Sequence, residues 1–360
     1  MKRYKRVVLV LVCFALLTLS ACAKRETVTV LREWDAPDGA SVAANGGAQD
    51  IRIGMVTDVG GINDASFNQS AWEGLQELAS AAGCTVDYID SEESGDFATN
   101  FETLAEDGYQ LIWGIGYSCA DAMLAAAEKY PDVHFAVIDN AFEATPANVT
   151  GVTFHAEQPS FLVGYIAASV SESGKIGFVG GVSSELIDAF QYGYQAGAAY
   201  ADRESGKTTE VLVSYAGSWG EPNTGLRLAN EMYNQGCDII YHAAGGTGVG
   251  VINAAKARGR YAIGVDRDQA YLAPNNVLTS ALKKVNAAIF QVSRDFIEGR
   301  EIGGQTFTFG LAEGAVGIPD GHSNYSDAVY DAVLRTADDI ISGKITVPAT
   351  KAEFDSFISK

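Results

Sequence analysis

The 360-residue chain is poor in the residue patterns that support catalysis or nucleic-acid binding. Its four histidines, His134, His155, His242 and His322, have no HExxH-type spacing. No G-x-S-x-G elbow is present either, and Gly116-Tyr117-Ser118-Cys119 does not supply one. The glycine cluster Gly246-x-Gly248-x-Gly250 is not GxGxxG, and no G-K-[ST] follows it. A dinucleotide site and a P-loop are therefore disfavoured. Paired acids such as Glu92-Glu93 and Asp338-Asp339 fall in solvated stretches and do not mark a catalytic dyad. Cysteine is scarce at five residues, with no CxxC and no Cys/His cluster. Cys84, Cys119 and Cys237 are widely spaced and odd in number, so they read as buried free thiols and not as a disulfide framework. No enzyme activity, metal or cofactor is expected.

Positive charge is short as well: 25 Lys and Arg stand against 45 Asp and Glu, a net charge of −20. Such an acidic surface argues against DNA, RNA or an anionic lipid surface as partner. Long apolar runs are missing too. Val7 to Leu19 is only 13 residues, short of the ~20 that span a bilayer. Lys2, Arg3, Lys5 and Arg6 precede it, and Leu19-Ser20-Ala21-Cys22 follows. This pattern resembles a bacterial lipoprotein signal, which implies cleavage of residues 1–21 and acylation of Cys22. Loss of that segment removes four positive charges and no negative ones, taking −20 to −24. The product would be a globular body tethered to the extracytoplasmic face of the cell membrane.

What is present is a globular composition, 47% hydrophobic and 10% aromatic, long enough for two domains. Residues 22–50, rich in Ala, Gly and Asp, read as a tether. From Ile51 onward strands and helices alternate, the mark of βαβ units and parallel sheets. Strands are expected at Ile51–Thr57, Thr85–Ile89, Leu111–Ile115, Val133–Ile138 and Val149–Phe154. A second run is expected at Lys175–Val179, Glu210–Tyr215, Asp238–Ala243, Tyr261–Val265 and Val277–Leu282. Short strands follow at Gln305–Leu311 and Gly314–Ile318, and a last helix at Ser326–Ser342 closes the chain before Pro348. Two α/β halves in tandem, with the chain returning late to the first, predict a two-lobed clamp. Lobe 1 takes residues 51–155 with about 283–320, and lobe 2 takes 156–282 with about 321–345. The strands near 150 and 280 would be crossover hinges. No helix-turn-helix stands between Cys22 and Ile51, which excludes a sugar-responsive repressor.

In an open α/β sheet, ligands bind beyond the C-terminal strand ends. The first strand leads into Gly60-Gly61-Ile62-Asn63-Asp64-Ala65-Ser66-Phe67-Asn68, where Asp64 and Ser66 are candidate helix caps. Asp58, Phe67 and Asn68 stand at that end, and Asp139 follows Val133–Ile138. In the second half the strand ends offer Trp219, Gly246, Asp266 and Lys283, with Phe190 on a helix. Aromatic rings and carboxylates recur; basic residues hardly do. Flat rings stack a planar heterocycle for about 1–3 kcal/mol per base, and carboxylates accept from ring N–H groups or sugar hydroxyls. A phosphorylated ligand would need several cations, and only Lys283 and Lys284 are on offer. A neutral nucleoside fits better than a nucleotide. Singly, each residue has a plain structural reading: Phe67 as a staple, Asp64 as a cap, Asp139 and Asp266 as turn residues, Phe190 and Trp219 as packing.

Several segments together resemble the basic membrane protein (BMP) family of lipoprotein substrate-binding proteins of ABC importers, in particular its purine nucleoside receptors. They are Thr57-Asp58 with Gly60 to Gly74, Tyr130 to Asp139, Ala243 to Gly248, Ile263 to Gln269 and Leu278 to Lys283. The resemblance implies a type I periplasmic-binding-protein fold: two Rossmann-like lobes with parallel sheets joined by three crossovers. It implies Phe67 and Trp219 on the two faces of a base, Asp139 at the base edge, and Asp58, Asn68, Gly246, Asp266 and Lys283 around the ribose. Phe190 is a further wall. Trp219 stands where many members have Phe, Ala65 where Lys is common, and Asn286 where Asp is usual. The implied partners are a nucleoside and a membrane permease, with the receptor a monomer. The alternatives are a receptor for another small polar ligand such as a sugar, a nucleoside-processing enzyme, or a surface signalling lipoprotein.

Overall fold

The structure, a computed structural model, describes residues 48–360, so Cys22, the signal segment and most of the tether lie outside the described residues. The chain opens with β1 (Arg52–Val56), α1 (Phe67–Ala82), β2 (Thr85–Ile89), α2 (Phe97–Glu106), β3 (Leu111–Gly114), α3 (Ala120–Lys129), β4 (His134–Ile138) and β5 (Val149–Phe154). The second run is α4 (Glu157–Val170), β6 (Lys175–Gly180), α5 (Glu185–Ser205), β7 (Glu210–Tyr215), α6 (Pro222–Asn234), β8 (Ile239–Ala243), α7 (Thr247–Arg258), β9 (Tyr261–Asp266) and β10 (Val277–Lys283). It closes with α8 (Val285–Ile297), β11 (Gln305–Phe309), β12 (Val316–Gly317), α9 (Asp327–Ile341) and α10 (Lys351–Ile358).

These strands form two six-stranded sheets, ordered β2-β1-β3-β4-β5-β11 and β7-β6-β8-β9-β10-β12. The same order appears twice, with β4 of one lobe corresponding to β9 of the other. Every pairing is parallel except β10 with β12, which is antiparallel. The strands are apolar along most of their length because helices cover both faces, as the burial of Leu111, Ile112, Trp113 and Gly114 in β3 illustrates. Trp113 is fully buried and its indole N–H donates to Ser293 Oγ of α8 at 2.9 Å. A late helix is thereby fixed on the first lobe.

The chain crosses between sheets after β5, after β10 and between β11 and β12. β5 and β10, expected as hinge strands, are full members of the two sheets, and the crossings follow them. The segment 283–320, grouped with the first lobe from sequence, is divided: β11 pairs with β5, whereas β12 pairs with β10. α4 and α5 lie against each other so closely that a Cβ on Gly197 would meet the Phe161 carbonyl at 1.9 Å. No side chain but hydrogen fits there.

Helix α1 begins at Phe67, directly after the two candidate caps. Asp64 fixes this start, since its carboxylate accepts from the backbone N–H groups of Ser66, Asn68 and Gln69 at 2.9, 2.8 and 3.1 Å. Helix α10 was missed. It is only eight residues long and lies beyond Pro348, but Thr350 and Glu353 form a capping box at its start. It packs on α5 through the Tyr192 and Phe354 rings, 5.8 Å apart, and the Arg203 guanidinium over Phe357. Among the described residues no helix is long and apolar enough to cross a membrane.

Candidate functional site

The C-terminal strand ends of both sheets meet at one pocket with about 590 Å³ of atom-free space, part of it open to solvent. Such a size is ordinary for a small organic molecule. All nine ligand-binding candidates from the sequence line it: Asp58, Phe67, Asn68, Asp139, Phe190, Trp219, Gly246, Asp266 and Lys283. The pocket takes further residues that sequence reasoning left out. Gly116, Tyr117 and Ser118 come from the loop after β3, and the strand-end rule would have found them. Leu186 and Ile187 lie one turn before Phe190 on α5 and share its face, a helical-spacing signal that was equally readable.

In the first lobe, Asp58 and Asn68 hold each other. Asp58 Oδ1 accepts from Asn68 Nδ2 at 2.7 Å and from the Gly60 N–H at 2.8 Å, and Asn68 Oδ1 accepts from the Asp58 N–H. Asn68 Nδ2 also lies 3.2 Å from Asp64. Phe67, at the head of α1, has the Lys283 ammonium 4.6 Å from its ring centroid. The same ammonium lies 5.2 Å from Phe154 and 5.8 Å from Phe190. Three aromatic faces thus replace part of its hydration.

Lys283 pairs with Asp139 at 2.5 Å, and both side chains are almost wholly buried. Asp139 directly follows β4 and Lys283 ends β10, strands of different sheets, so the pair spans the lobes. Only one oxygen of Asp139 is used: Oδ1 is buried with no hydrogen-bond partner. An acceptor left in that condition costs about 1–3 kcal/mol, more when charged. Ser66 Oγ donates to Asp266 in a short hydrogen bond, again from one lobe to the other. Ser66 sits at the N-cap position of α1, yet it makes no side-chain cap bond; Asp64 caps, and Ser66 reaches across.

Trp219 stands on the loop after β7, its carbonyl accepting from the Thr247 N–H at 2.9 Å. Its indole rests on Gly181, where a Cβ would come within 2.2 Å of the six-membered ring. Gly181 is itself fixed by backbone bonds from its N–H to the Ala243 carbonyl and to its carbonyl from the Gly217 N–H, both 2.9 Å. The bare α-carbon lets the ring lie back into the second lobe.

The charged residues lining the pocket are four carboxylates, Asp58, Asp64, Asp139 and Asp266, and one ammonium. Burial pushes the Asp58 carboxyl up; bonds from Asn68 and Gly60 oppose this, and the Asp266 and Asp139 charges add to it. Burial likewise raises Asp64 to about 6, against the pull of its three backbone donors. Asp266 also rises to about 6, from burial first, with Lys283 and Ser66 opposing and the neighbouring carboxylates reinforcing. A concave site with several perturbed acids and no nucleophile–base pair is arranged to recognise donors on a ligand. Among the described residues no group of His, Cys, Asp and Glu is placed to hold a metal ion. Cys84, Cys119 and Cys237 are free and buried.

Two parallel α/β lobes of identical strand order, closed by their strand ends on one pocket, define a bilobal solute-binding protein. Residues 51–351 match the Bmp family, described as ABC transporter substrate-binding protein PnrA-like, and the chain belongs to that family. It is 37% identical over 319 residues to basic membrane protein A of Borreliella burgdorferi, spanning 87% of this chain and 92% of that protein. It is 37% identical over 323 residues to the ABC transporter nucleoside-binding protein BmpA of Lactococcus lactis subsp. cremoris, spanning 83% and 90%. Among solved structures it resembles an ABC transporter solute-binding protein from Aeropyrum pernix K1, with a TM-score of 0.77 and 28% identity. That match covers 86% of this chain and 96% of the other. Proteins of this class bind a substrate for an ABC transporter and do not transform it.

Proposed function

We propose that the protein captures a neutral nucleoside, with a purine base, between its lobes and delivers it to an ABC permease. The observation that carries this reading is Asp139 Oδ1, a buried acceptor without a partner in a pocket that also presents Phe67 from one lobe and Trp219 from the other. A base edge bearing N–H groups supplies the missing donor, and the two rings supply apolar faces for a flat heterocycle. Four carboxylates against one ammonium, itself engaged by Asp139, oppose a phosphate group. Asp58, Asn68, Gly246, Asp266 and Lys283 surround the ribose in this reading. The nucleoside-binding relative in Lactococcus lactis supports the same class.

The protein works outside the cytoplasm, held to the membrane by acyl chains on Cys22 after removal of residues 1–21. It acts as a monomer, since one chain completes the pocket. Calorimetric titration with adenosine, guanosine, inosine, cytidine, uridine and ribose tests the reading. Binding of one or more nucleosides, with no binding of ribose alone, is the expected result. Binding of a sugar with no response to any nucleoside would overturn it.

A further inference from the structure

The lobes are also joined beside the pocket. Ser66 donates to Asp266, Glu73 pairs with Arg267 at 3.0 Å, and the Gln269 side-chain amide donates to the Ala65 carbonyl at 3.0 Å. The last contact differs from the first because neither Gln269 nor Ala65 lines the pocket. Its strength cannot come from ligand contact.

Gln269 is fully buried, and its other side-chain polar atom is committed to its own lobe. Its Oε1 accepts from the Val265 N–H at 3.0 Å and lies 3.0 Å from His242 Nε2. Its backbone N–H donates to Ser280 Oγ at 3.1 Å. Because Oε1 is an acceptor, the His242 proton sits on Nε2, and the amide orientation is fixed from two sides. That leaves the Nε2 amide group, rigidly aimed, to donate to the opposite lobe. His242 is held in turn by α7, where a Cβ on Gly248 would meet its ring at 1.9 Å. The acceptor is equally constrained. Ala65 has φ 55°, a left-handed backbone that costs a non-glycine residue about 1–3 kcal/mol and persists only where its surroundings enforce it.

We propose that Gln269 is a positioning residue for ligand capture. It is a preset latch whose Nε2 amide engages Ala65 when the lobes meet, and so holds the neighbouring Phe67 and Asn68 against the second lobe. The proposal rests on capture by lobe closure. Apparent affinity then scales with the fraction of molecules in the closed form.

Gln269→Glu separates this role from a structural one. The introduced carboxylate still accepts from Val265 and His242 but has no proton for Ala65. The titratable groups on the surrounding elements are His242 on β8, Asp266 at the end of β9, Arg267 and Asp268 beside Gln269, Lys283 on β10, and Asp64 and Glu73 at α1. All are common to parent and variant, so the two are compared at each pH. Spin labels at Glu128→Cys and Lys256→Cys, exposed on opposite lobes, report the inter-lobe distance of the full chain by pulsed EPR, without and with guanosine.

At pH 8 the closed-to-open ratio of Gln269→Glu is expected to fall about tenfold relative to the parent, beyond what the lower unfolding midpoint caused by a buried charge accounts for. Near pH 5, protonation of the introduced carboxyl restores a donor and most of the ratio. Gln269→Met, which also loses the bonds within its own lobe, lowers both closure and midpoint. An unchanged ratio in Gln269→Glu at pH 8 overturns the latch. So does a loss of closure that tracks the midpoint and does not recover at pH 5. If guanosine leaves the parent's distances unmoved while Gln269→Glu still lowers the closed fraction, the nucleoside reading fails and the latch stands.

Discussion

Asp139 and Asp266 occupy the same place in the two lobes: each stands at the C-terminal end of corresponding strands β4 and β9, and each has a left-handed backbone, φ 66° and 65°. With Ala65 they are the only non-glycine residues of positive φ among the described residues, and all three lie at the meeting of the lobes. Aspartate tolerates this conformation better than most side chains. The backbone turn delivers two carboxylates from opposite sides into one cleft. Their partners differ: Asp139 takes Lys283, and Asp266 takes Ser66.

Removing one member of the Asp139–Lys283 pair leaves a buried, unbalanced charge. Asp139→Ala should cost about 3–5 kcal/mol of folding stability. Adding Lys283→Met should return most of that stability in urea denaturation without returning nucleoside binding. Recovery of binding in the double variant would show that Asp139 serves the fold alone.

Phe67→Ala and Trp219→Ala should each weaken nucleoside binding by about 1–3 kcal/mol, as for loss of a stacked ring. Calorimetry on the single variants and the double variant reads this directly. Loss confined to Phe67→Ala would identify Trp219 as packing.

A methyl group at Gly181 should drive the indole forward into the cleft, because no room exists behind it. Gly181→Ala should therefore reduce affinity for purine nucleosides more than for pyrimidine ones, roughly tenfold or beyond, about 1.4 kcal/mol. Trp219→Phe in the same chain should recover part of the loss. Equal affinities in Gly181→Ala and the parent would mean that the ring is not a wall of the site.

The buried acids should contribute to the pH dependence of stability in an unusual direction. Asp64 and Asp266 titrate near 6 in the folded chain against an ordinary 3.8, so between these values the folded state holds more protons than the unfolded one. Their contribution is complete below about pH 4 and is lost as pH rises through 6. Each group accounts for at most about 3 kcal/mol, from 1.36 kcal/mol per pKa unit. Burial holds His134 and His242 down to about 4, and these oppose the acids by losing stability as pH falls through the same window. The acids' share is therefore read as a difference: in denaturation of the ligand-free protein, Asp266→Asn, whose side chain suits the same backbone, should be less stable at pH 5 relative to pH 7.5 than the parent is. An equal pH difference in the two proteins would remove Asp266 as a source.

Much of this was readable in the sequence because the alternation of apolar runs and capped helices is strong in parallel α/β lobes. Asp58, Asp139, Asp266 and Lys283 were visible as strand-end residues without any knowledge of pairing. What could not be read were relations across the cleft. Ser66 looks like a cap, yet Asp64 takes that work and frees its hydroxyl for Asp266. Asp139 and Lys283 are 144 residues apart, and nothing local announces that they neutralise one another. Gln269 is the extreme case, since its value lies in a hydrogen bond that exists only when both lobes are in place. Helix α10 escaped for the opposite reason: it is too short for periodicity to identify.

The pairing of β11 with β5 joins Gln305 to Thr150 across 155 positions of chain. During synthesis the first sheet must therefore wait, with β5 as an open edge, until β6 to β10 of the second lobe have been made. An unpaired edge is an invitation to wrong partners, and such distant closure slows folding. The first lobe alone, expressed as residues 48–155, should accordingly be prone to self-association, and in the full chain its completion becomes one of the last steps of folding.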